Sequence, residues 1–524
     1  MAVAWSAAAQ QAAAPAPPSG DFEIGGILVN SLTSQPIARA RVAIAPVTKR
    51  NDFTTVITGE DGLFSFAKLT PGKYVLTAQA RGYLLQYFNQ HDQFASSIVV
   101  GSDLDTGHLL FRLPPAGAIT GVVTDEAGEP VREAHVALYF TGLAAGSDAT
   151  WSRGSAATDD QGAFHFGHLG PGHYLVAVSA RPWYAQRPTS LPGIDPSVAL
   201  LDVAYPITFY GGATEAGMAT SIVLAPGDKA TANIALQPVP ALRVSVTTDG
   251  RGTNPQLQRS MLDGPPLPVM TEMRATGTGR QEILGISPGR YTLTTAVATG
   301  TTASEPAFST REVDINVNGQ IDQDQGTAYV PVTAKLQFDA GTQPRQAFLQ
   351  LLNKKTRAVA SQGMSDEGEI VFKQGVLPGS YEISIANAAG FYLKSISATG
   401  AGVTGRTIEI RPGTTVKLAI SAARGQSQVT GVASRESKPF AGAMIVLVPA
   451  DPAHNQVLFR RDQSDSDGSF TLLDVVPGAY TLLALEHGWE LAWMDPEVLK
   501  NYLGQGVPVK VQPNGKYEVK VDVH

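Results

Sequence analysis

One four-residue motif, Pro-Gly-x-Tyr, recurs five times at intervals of about one hundred residues and most constrains the fold of this 524-residue chain. Proline presets φ for the first central position of a type II turn, and glycine supplies the positive φ of the second. We therefore predict that each copy is a hairpin corner whose tyrosine opens the next strand. The structural turns are Pro71 and Gly72, Pro171 and Gly172, Pro288 and Gly289, Pro378 and Gly379, and Pro477 and Gly478.

The interval between copies is the size of one small domain and is too long for a solenoid unit. A single core stops growing at ~250–300 residues, so a chain of this length needs several. The 53 glycines and 35 prolines are more than long helices tolerate. The predicted fold is all-β, a tandem array of about five small β-sandwich modules. Their predicted limits are residues 22–116, 117–239, 240–330, 331–425 and 426–524.

Two further patterns accompany the turn motif. Ten residues before the turn glycine, a second glycine opens a short strand, as in Asp61-Gly62-Leu63-Phe64. Earlier still, a Gly-x-Val strand and a Pro-x-x-x-Ala-x-Val strand flank a turn, as in the segment from Gly121 to Val136. In this order the motifs resemble the carboxypeptidase regulatory-like domain, a transthyretin-like (prealbumin-like) or Ig-like β-sandwich. The first, second and fifth modules resemble it throughout, and the divergent third and fourth mainly in Pro-Gly-x-Tyr.

The resemblance implies modules that carry no catalytic residues. In relatives such modules accompany peptidases, outer-membrane receptors and adhesins, or form arrays alone. We therefore expect a non-enzymatic protein with a binding or a structural and adhesive role. Its expected partner is a polysaccharide or another envelope protein. Two alternatives remain open: an accessory subunit of an outer-membrane or envelope complex, and a hydrolase with an unrecognised site.

Composition and charge narrow the partners and the location. The net charge of −7 is spread without long runs, which argues against a nucleic-acid partner. No stretch approaches the ~20 apolar residues of a membrane span, so we predict no transmembrane segment. Residues 1–21 are rich in alanine and then proline, which indicates a remnant export signal or a disordered tail. The expected location is secreted, periplasmic or at the cell surface.

Four patterns suggest chemistry, and each has a simpler structural explanation. The chain has no cysteine, which excludes thiolate catalysis and cysteine-ligated zinc. Ser287 lies in a Gly-x-Ser-x-Gly pattern, but this segment is the turn of the third module. His487 and Glu490 have the spacing of a zinc-ligand pair in peptidases. The trio His165, His168 and His173 suggests a metal cluster, and the trio Asp462, Asp465 and Asp467 suggests a calcium loop. We expect no catalytic residue, no metal site and no cofactor.

Aromatic side chains are the candidate ligand-binding residues, because flat rings stack on sugar faces with little loss of entropy. They lie in two insertions that follow the turn motif, in the second and fifth modules. The candidates are Trp183, Tyr184, Tyr205 and Tyr210 in the first group, and Trp489, Trp493 and Tyr502 in the second. The alternative is that these rings pack over an open end of a sandwich. A short helix opened by Asp495 and Pro496 is also predicted in the second insertion.

Overall fold

The computed structural model describes residues 20–101, 104–144, 146–185, 203–247, 254–261, 264–277, 279–297, 307–321, 327–339, 344 and 346–524. Most of these residues form strands. The one α-helix among them, α1 (Pro496–Leu503), begins where the sequence predicts. Single 3-10 turns occur at Val47–Lys49, Trp183–Ala185, Ala216–Met218, Gln456–Leu458 and Gly488–Glu490. The predicted all-β fold of repeated sandwich modules is confirmed, while the limits assigned to each module stay predictions.

The strands follow one another in five groups. The first group is β1 (Phe22–Asn30), β2 (Arg41–Pro46), β3 (Thr54–Ile57), β4 (Leu63–Leu69), β5 (Gly72–Gln79), β6 (Gln86–Tyr87), β7 (Ile98–Val100) and β8 (Leu109–Leu113). The second is β9 (Gly117–Thr124), β10 (His135–Ala144), β11 (Ser147–Ala157), β12 (Ala163–Leu169), β13 (Gly172–Ser179), β14 (Val203–Ala204), β15 (Thr208–Phe209), β16 (Ile222–Leu224), β17 (Lys229–Thr231), β18 (Ile234–Ala235) and β19 (Val239–Pro240). The third is β20 (Leu242–Thr247), β21 (Gln256–Met261), β22 (Gly264–Pro268), β23 (Glu272–Gly277), β24 (Arg280–Ile286), β25 (Gly289–Val297), β26 (Ala307–Ile315), β27 (Gly319–Ile321) and β28 (Thr327–Ala328).

The fourth group is β29 (Val330–Phe338), β30 (Phe348–Asn353), β31 (Val359–Gly363), β32 (Glu369–Val376), β33 (Gly379–Ala386), β34 (Phe391–Thr399), β35 (Ala401–Thr404), β36 (Thr407–Ile410) and β37 (Val416–Arg424). The fifth is β38 (Ser427–Arg435), β39 (Lys438–Pro439), β40 (Met444–Pro449), β41 (Arg460–Gln463), β42 (Ser469–Val475), β43 (Gly478–Leu485), β44 (Val507–Val511) and β45 (Lys516–Asp522). We number the modules 1 to 5 in this order.

Every module contains two main sheets with a shared pairing scheme, and module 2 has a further two-stranded sheet of β14 and β19. In module 1 the opening strand β1 lies between β4, which is antiparallel to it, and β8, which is parallel. The second sheet has the order β3-β2-β5-β6, with β7 also paired to β5. Alternate residues of each sheet face the other sheet: Ile24 and Leu28 from β1 share a core with Leu76 from β5. This alternation is the pattern of a two-layer sandwich.

The Pro-Gly-x-Tyr motif does not form the predicted hairpin corner. In module 1 it joins β4 and β5, which belong to different sheets, and the equivalent strands of the other modules are separated in the same way. The predicted type II turn is also wrong. Gly72, Gly172, Gly289 and Gly379 have φ between 146° and 154° and open the next strand, whereas a type II turn needs about +80°. The motif is the crossover from one layer of the sandwich to the other.

A hydrogen bond from the motif tyrosine secures this crossover in all five modules. The ring is buried in the core, and its hydroxyl donates to the backbone carbonyl four residues earlier. The bonds measure 2.6–2.9 Å and join Tyr74 to Thr70, Tyr174 to Gly170, Tyr291 to Ser287, Tyr381 to Leu377, and Tyr480 to Val476. The tyrosine therefore fills the core and satisfies a carbonyl that leaves the sheet at the corner.

In every module, the residue four positions before the motif glycine has a left-handed backbone conformation. These residues are Lys68, His168, Gly285, Gly375 and Asp474, with φ between 55° and 74°. The pairing of the preceding strand with the opening strand shifts register at the same place in every module. The combination is a β-bulge, which bends a strand out of its sheet. It directs the chain toward the opposite layer.

Neighbouring modules are joined by specific contacts along the chain. Gly227 of module 2 packs against Pro115 at the end of module 1. Arg181 of module 2 pairs with Glu272 of module 3 at 3.2 Å. Strand β26 of module 3 lies beside β32 of module 4. Glu382 of module 4 accepts the Val457 N–H of module 5 at 2.9 Å.

Module 5 also returns to the start of the chain and contacts modules 1 and 2. The Lys73 ammonium of module 1 lies 2.5 Å from the Asp465 carboxylate of module 5. The Met494 N–H of module 5 donates to the Gly146 carbonyl of module 2 at 3.0 Å. The contacts between modules therefore form a closed circuit in which modules 1, 2 and 5 all touch each other.

Candidate functional site

The aromatic candidates of module 2 divide into exposed and buried rings. Trp183 is 76% exposed and meets the Tyr184 ring edge to face, with ring centroids 5.8 Å apart. The Tyr184 and Tyr205 hydroxyls both donate to the Glu126 carboxylate, at 2.5 and 2.8 Å. Although burial acts to raise the pKa of Glu126, these hydrogen bonds lower it below its ordinary value. Trp183 and Tyr184 are the part of this group that solvent reaches.

Tyr205 and Tyr210 lie mainly inside module 2. Tyr205 is 7% exposed and belongs to the module core, and Tyr210 packs against the same core. Burial is the main cause that raises the pKa of the Tyr205 hydroxyl. Both rings therefore take the structural role that was the alternative to ligand binding.

The aromatic candidates of module 5 are used in contacts within the chain. Trp493 is 7% exposed and packs against Gly146 of module 2. Tyr502 packs against the cluster of apolar residues that contains Trp493. The Trp489 ring stacks on the His91 ring of module 1, with centroids 5.3 Å apart and planes 7° from parallel. Trp489 and Trp493 thus pack against residues from distant parts of the chain, and Tyr502 packs within module 5.

Arg461 lies at the centre of the contact between modules 1 and 5. Its guanidinium carbon is 4.1 Å from the Trp493 ring centroid and 4.9 Å from that of Phe94. One of its nitrogens lies 3.1 Å from the Asp92 carboxylate, and its side chain is 8% exposed. Burial lowers the pKa of Arg461, although the Asp92 carboxylate opposes that effect. A flat cation held between rings and paired with a carboxylate gives this contact a fixed geometry.

Polar side chains complete the contact between modules 1 and 5. The Gln463 amide is buried and donates to the Asn89 carbonyl at 2.5 Å and to the Ser96 hydroxyl at 2.9 Å. The Asp465 carboxylate accepts the Ser97 N–H at 2.7 Å as well as pairing with Lys73. These bonds satisfy groups that the contact removes from water.

The residues that the sequence suggests for catalysis or metal binding either make structural contacts or are exposed to solvent. The Ser287 hydroxyl is 2.8 Å from the Tyr291 hydroxyl, and Ser287 is 4% exposed. His165, His168 and His173 are all exposed, and so are His487 and Glu490. Asp462 accepts the Thr471 N–H, Asp465 pairs with Lys73, and Asp467 accepts the Ser469 N–H. Within the described ranges, no cluster of histidine and acidic residues could hold a metal ion.

Comparison with protein families gives a match for three of the modules. Residues 23–98 and 118–237 match the model of the carboxypeptidase regulatory-like domain. The first two modules are therefore similar to carboxypeptidase regulatory-like domains. Residues 332–420 match the model of a prealbumin-like fold domain. The carboxypeptidase regulatory-like resemblance is thus confirmed, and the fourth module, which keeps little more than Pro-Gly-x-Tyr, shares the prealbumin-like fold.

Solved structures give distant likenesses. The Bacillus anthracis TIE protein is 12% identical, with 96% of this chain and 74% of that chain covered and a TM-score of 0.18. The streptococcal ancillary pilin is 13% identical over 58% of this chain and 100% of that chain, with a TM-score of 0.18. The shaft pilin SpaA from Lactobacillus rhamnosus GG is 10% identical over 42% and 98%, with a TM-score of 0.19. At these TM-scores the likenesses carry no argument about function.

A search of curated proteins and an inspection of the helices complete the comparison. No curated protein matches the chain. Among the helices of the described residues, none has the length and apolar character needed to cross a membrane. Neither finding identifies a partner.

No pattern in the sequence points to Arg461, although this residue organises the contact between modules 1 and 5. It lies on β41, next to Asp462, the first residue of the aspartate trio. An arginine flanked by polar residues reads as an ordinary exposed strand position. Its aromatic neighbours Phe94 and Trp489 lie far from it along the sequence. Local patterns carry no signal for such a contact.

Proposed function

We propose that this chain is a non-enzymatic protein of the cell surface or the secreted fraction, with a binding or a structural and adhesive role. The observation that supports this role is the contact between modules 1 and 5. Together with the joints along the chain, it fixes the positions of five sandwiches relative to each other. A fixed set of outer surfaces suits binding to an extended partner, because little entropy is lost when several surfaces engage together.

The absence of catalysis is part of this proposal. The suspected serine is paired with Tyr291, and the suspected aspartates hold turns and the contact between modules. A hydrolase needs a nucleophile, a base and a site for the developing charge within reach of each other. A hydrolase screen on the purified chain is expected to stay silent, and turnover that survives repurification would contradict this part of the proposal.

Trp183 and Tyr184 are the proposed contact with polysaccharide. An exposed indole beside a tyrosine, with a carboxylate held nearby by two hydroxyls, offers a stacking face and hydrogen-bond acceptors to a sugar. The test is a pull-down of the chain with insoluble polysaccharides, comparing Trp183→Ala with the unchanged protein. We expect Trp183→Ala to weaken binding at least tenfold without changing the melting temperature. Equal binding by both proteins would remove Trp183 from the proposal.

Trp493→Ala is the matched variant in module 5. Because Trp493 is buried against Gly146 and Arg461, we expect this substitution to lower the melting temperature.

The location is tested separately in the source cells. Protease treatment of intact cells and analysis of the medium should both be followed with an antibody against the chain. We expect the protein on the outer surface or in the medium. Detection only inside intact cells would contradict the surface role, and recovery bound to one envelope protein would favour the accessory-subunit alternative.

A further inference from the structure

A cleft of about 500 Å³ lies between modules 1 and 5, beside the contact that Arg461 organises. One wall belongs to module 1 and includes Arg50, Phe53 and Tyr87. The other belongs to module 5 and includes Arg460 from β41 and Leu473 from β42. The cleft exists only because the two modules are in contact, so it is a property of the assembled chain.

The cleft has an excess of positive charge. Arg50 is exposed, and among the described residues no carboxylate pairs with it or with Arg460. The Arg460 guanidinium donates to the backbone carbonyls of Val457, Phe459 and Asp474, at 2.8–3.1 Å. Carbonyls satisfy its hydrogen bonds, and the charge of Asp474 acts on it without forming an ion pair. The exposed Arg50 is therefore the cation of the cleft that is free to pair with a ligand. A carboxylate ligand would supply its counter-ion, and guanidinium groups bind carboxylates in a bidentate geometry.

Only one lining residue is acidic, Asp462, and its carboxylate is already engaged. It accepts the Thr471 N–H at 2.7 Å and the Gln463 N–H at 2.9 Å. Burial raises the pKa of Asp462 to about 6, which reduces its negative charge in mildly acidic solution. Asp92 already balances the charge of Arg461. Asp462 therefore offsets only part of the remaining positive charge of Arg50 and Arg460.

Exposed apolar side chains line the cleft together with Arg50. Phe53 is 49% exposed and Tyr87 is 37% exposed on the wall of module 1, and Leu473 is 58% exposed on the opposite wall. A flat ring beside a guanidinium matches a sugar ring that carries a carboxylate, because the ring stacks on the sugar face while the guanidinium takes the charge. An extended peptide would need free backbone groups along a strand edge. Here the Thr471 N–H is already taken by Asp462.

We propose that this cleft binds a polysaccharide that contains uronic acid. Arg50 pairs with the uronate carboxylate, and Phe53 and Tyr87 carry the sugar faces. The inference rests on the proposed binding function and names a ligand class and a site for it. The site is separate from Trp183, which lies in module 2 and does not line the cleft.

The test uses the full chain and two forms of one polymer. Polygalacturonate is compared with its fully methyl-esterified form, which has the same backbone without the charge, by isothermal titration calorimetry. We expect the esterified form to bind at least tenfold more weakly. We also expect Arg50→Gln and Phe53→Ala each to weaken binding of polygalacturonate about tenfold. Both residues are exposed, so the variants should keep the melting temperature of the unchanged chain.

Arg41→Gln is the control, because Arg41 is an exposed arginine of the same module that does not line the cleft. It removes the same charge and should change the affinity less than twofold. Equal losses in Arg41→Gln and Arg50→Gln would show attraction to net charge only and would overturn the proposal. Equal binding of polyglutamate would overturn the choice of a sugar.

One result separates this proposal from the proposed function. Absence of polygalacturonate binding, with Trp183-dependent binding and surface location retained, overturns the cleft alone. Loss of all three overturns both.

Discussion

Single hydroxyl groups hold the corners of the sandwiches. Each motif tyrosine lies in a module core and donates to a carbonyl that has left the β-ladder. Such a carbonyl has no strand partner at the crossover, and a buried carbonyl without a partner is costly. The tyrosine therefore does at one residue what a turn hydrogen bond does in a hairpin.

Replacing Tyr480 by phenylalanine tests this role. The change removes the hydroxyl that donates to the Val476 carbonyl at 2.7 Å and keeps the buried ring. We expect module 5 to lose about 1–2 kcal/mol of stability. Hydrogen exchange of the β43 amides, followed by mass spectrometry, measures the loss. Tyr87→Phe, at a half-exposed tyrosine, should leave the exchange unchanged, and equal effects of the two substitutions would contradict the role of the corner.

Glu382 gives a prediction about pH. It is 1% exposed at the joint of modules 4 and 5, and its Oε2 atom has no hydrogen-bond partner. Burial raises its pKa above the ordinary value. The folded chain thus binds this proton more tightly than the unfolded chain, and stability falls as the pH rises from the ordinary pKa through the raised one.

Glu382→Gln should therefore stabilise the chain in a pH-dependent way. Glutamine keeps an acceptor for the Val457 N–H and carries no charge. We expect little difference from the unchanged chain at pH 4 and a gain of about 1 kcal/mol at pH 8. Urea unfolding at both pH values measures it. The exposed Glu409 offers a control, since Glu409→Gln should show no such pH dependence.

At the scale of the strand, backbone conformation decides where the chain changes layer. The bulge before each crossover needs one residue in the left-handed region, and a second left-handed position lies at the turn that opens the preceding strand. In module 5 this second position is Gly468, with φ of 75°. A Cβ atom there would lie 2.6 Å from the Ala433 carbonyl oxygen. The opening strand passes too close for any side chain.

Gly468→Ala and Gly442→Ala separate backbone strain from this close approach. Gly442 has a similar φ of 83°, but a Cβ atom there would meet nothing within 4 Å. We expect Gly442→Ala to cost about 1–2 kcal/mol from backbone strain and Gly468→Ala to cost clearly more. Melting temperatures of the two variants measure the difference. Equal shifts of the melting temperature would mean that the close approach of β38 adds nothing to the cost of a side chain at position 468.

The strands show what sequence could and could not predict. The alternating pattern and the Asp495–Pro496 helix start are local signals, and each was sufficient for its element. The change of layer at Pro-Gly-x-Tyr was missed, because Lys68, His168 and Asp474 occupy the left-handed bulge position and only two modules have glycine there. A side chain at that position hides the conformational demand that glycine would reveal.

At the scale of the molecule, the return of module 5 to module 1 was not predictable. A repeat of one hundred residues indicates separate sandwiches but not the angles between them. Trp489 and Trp493 look like exposed ligand platforms in sequence because their partners, His91 and Gly146, are hundreds of residues away. Trp183, in the corresponding insertion of module 2, is instead exposed to solvent.

Asp465→Ala is the test of this closure. The Asp465 carboxylate accepts the Ser97 N–H and pairs with Lys73, both in module 1. We expect the variant to keep five folded modules and to show a larger radius of gyration by small-angle X-ray scattering, as modules 1 and 5 separate. Glu60→Ala breaks a solvent-exposed ion pair within module 1 and should leave the scattering unchanged. An unaltered radius for Asp465→Ala would show that the Gln463 hydrogen bonds, the Arg461–Asp92 pair and the ring contacts maintain the closure without Asp465.

The contact between modules 1 and 5 also determines how the chain responds to mechanical force. A pull that separates module 1 from module 5 acts first on this contact, because it is the shortest path between them. Hydrogen bonds, two ion pairs and stacked rings are expected to rupture before any sandwich unfolds. Once the contact of module 5 with module 2 has also parted, the length of modules 2 to 4 is released with every core intact. We therefore expect the molecule to extend under tension and to close again when the tension ends.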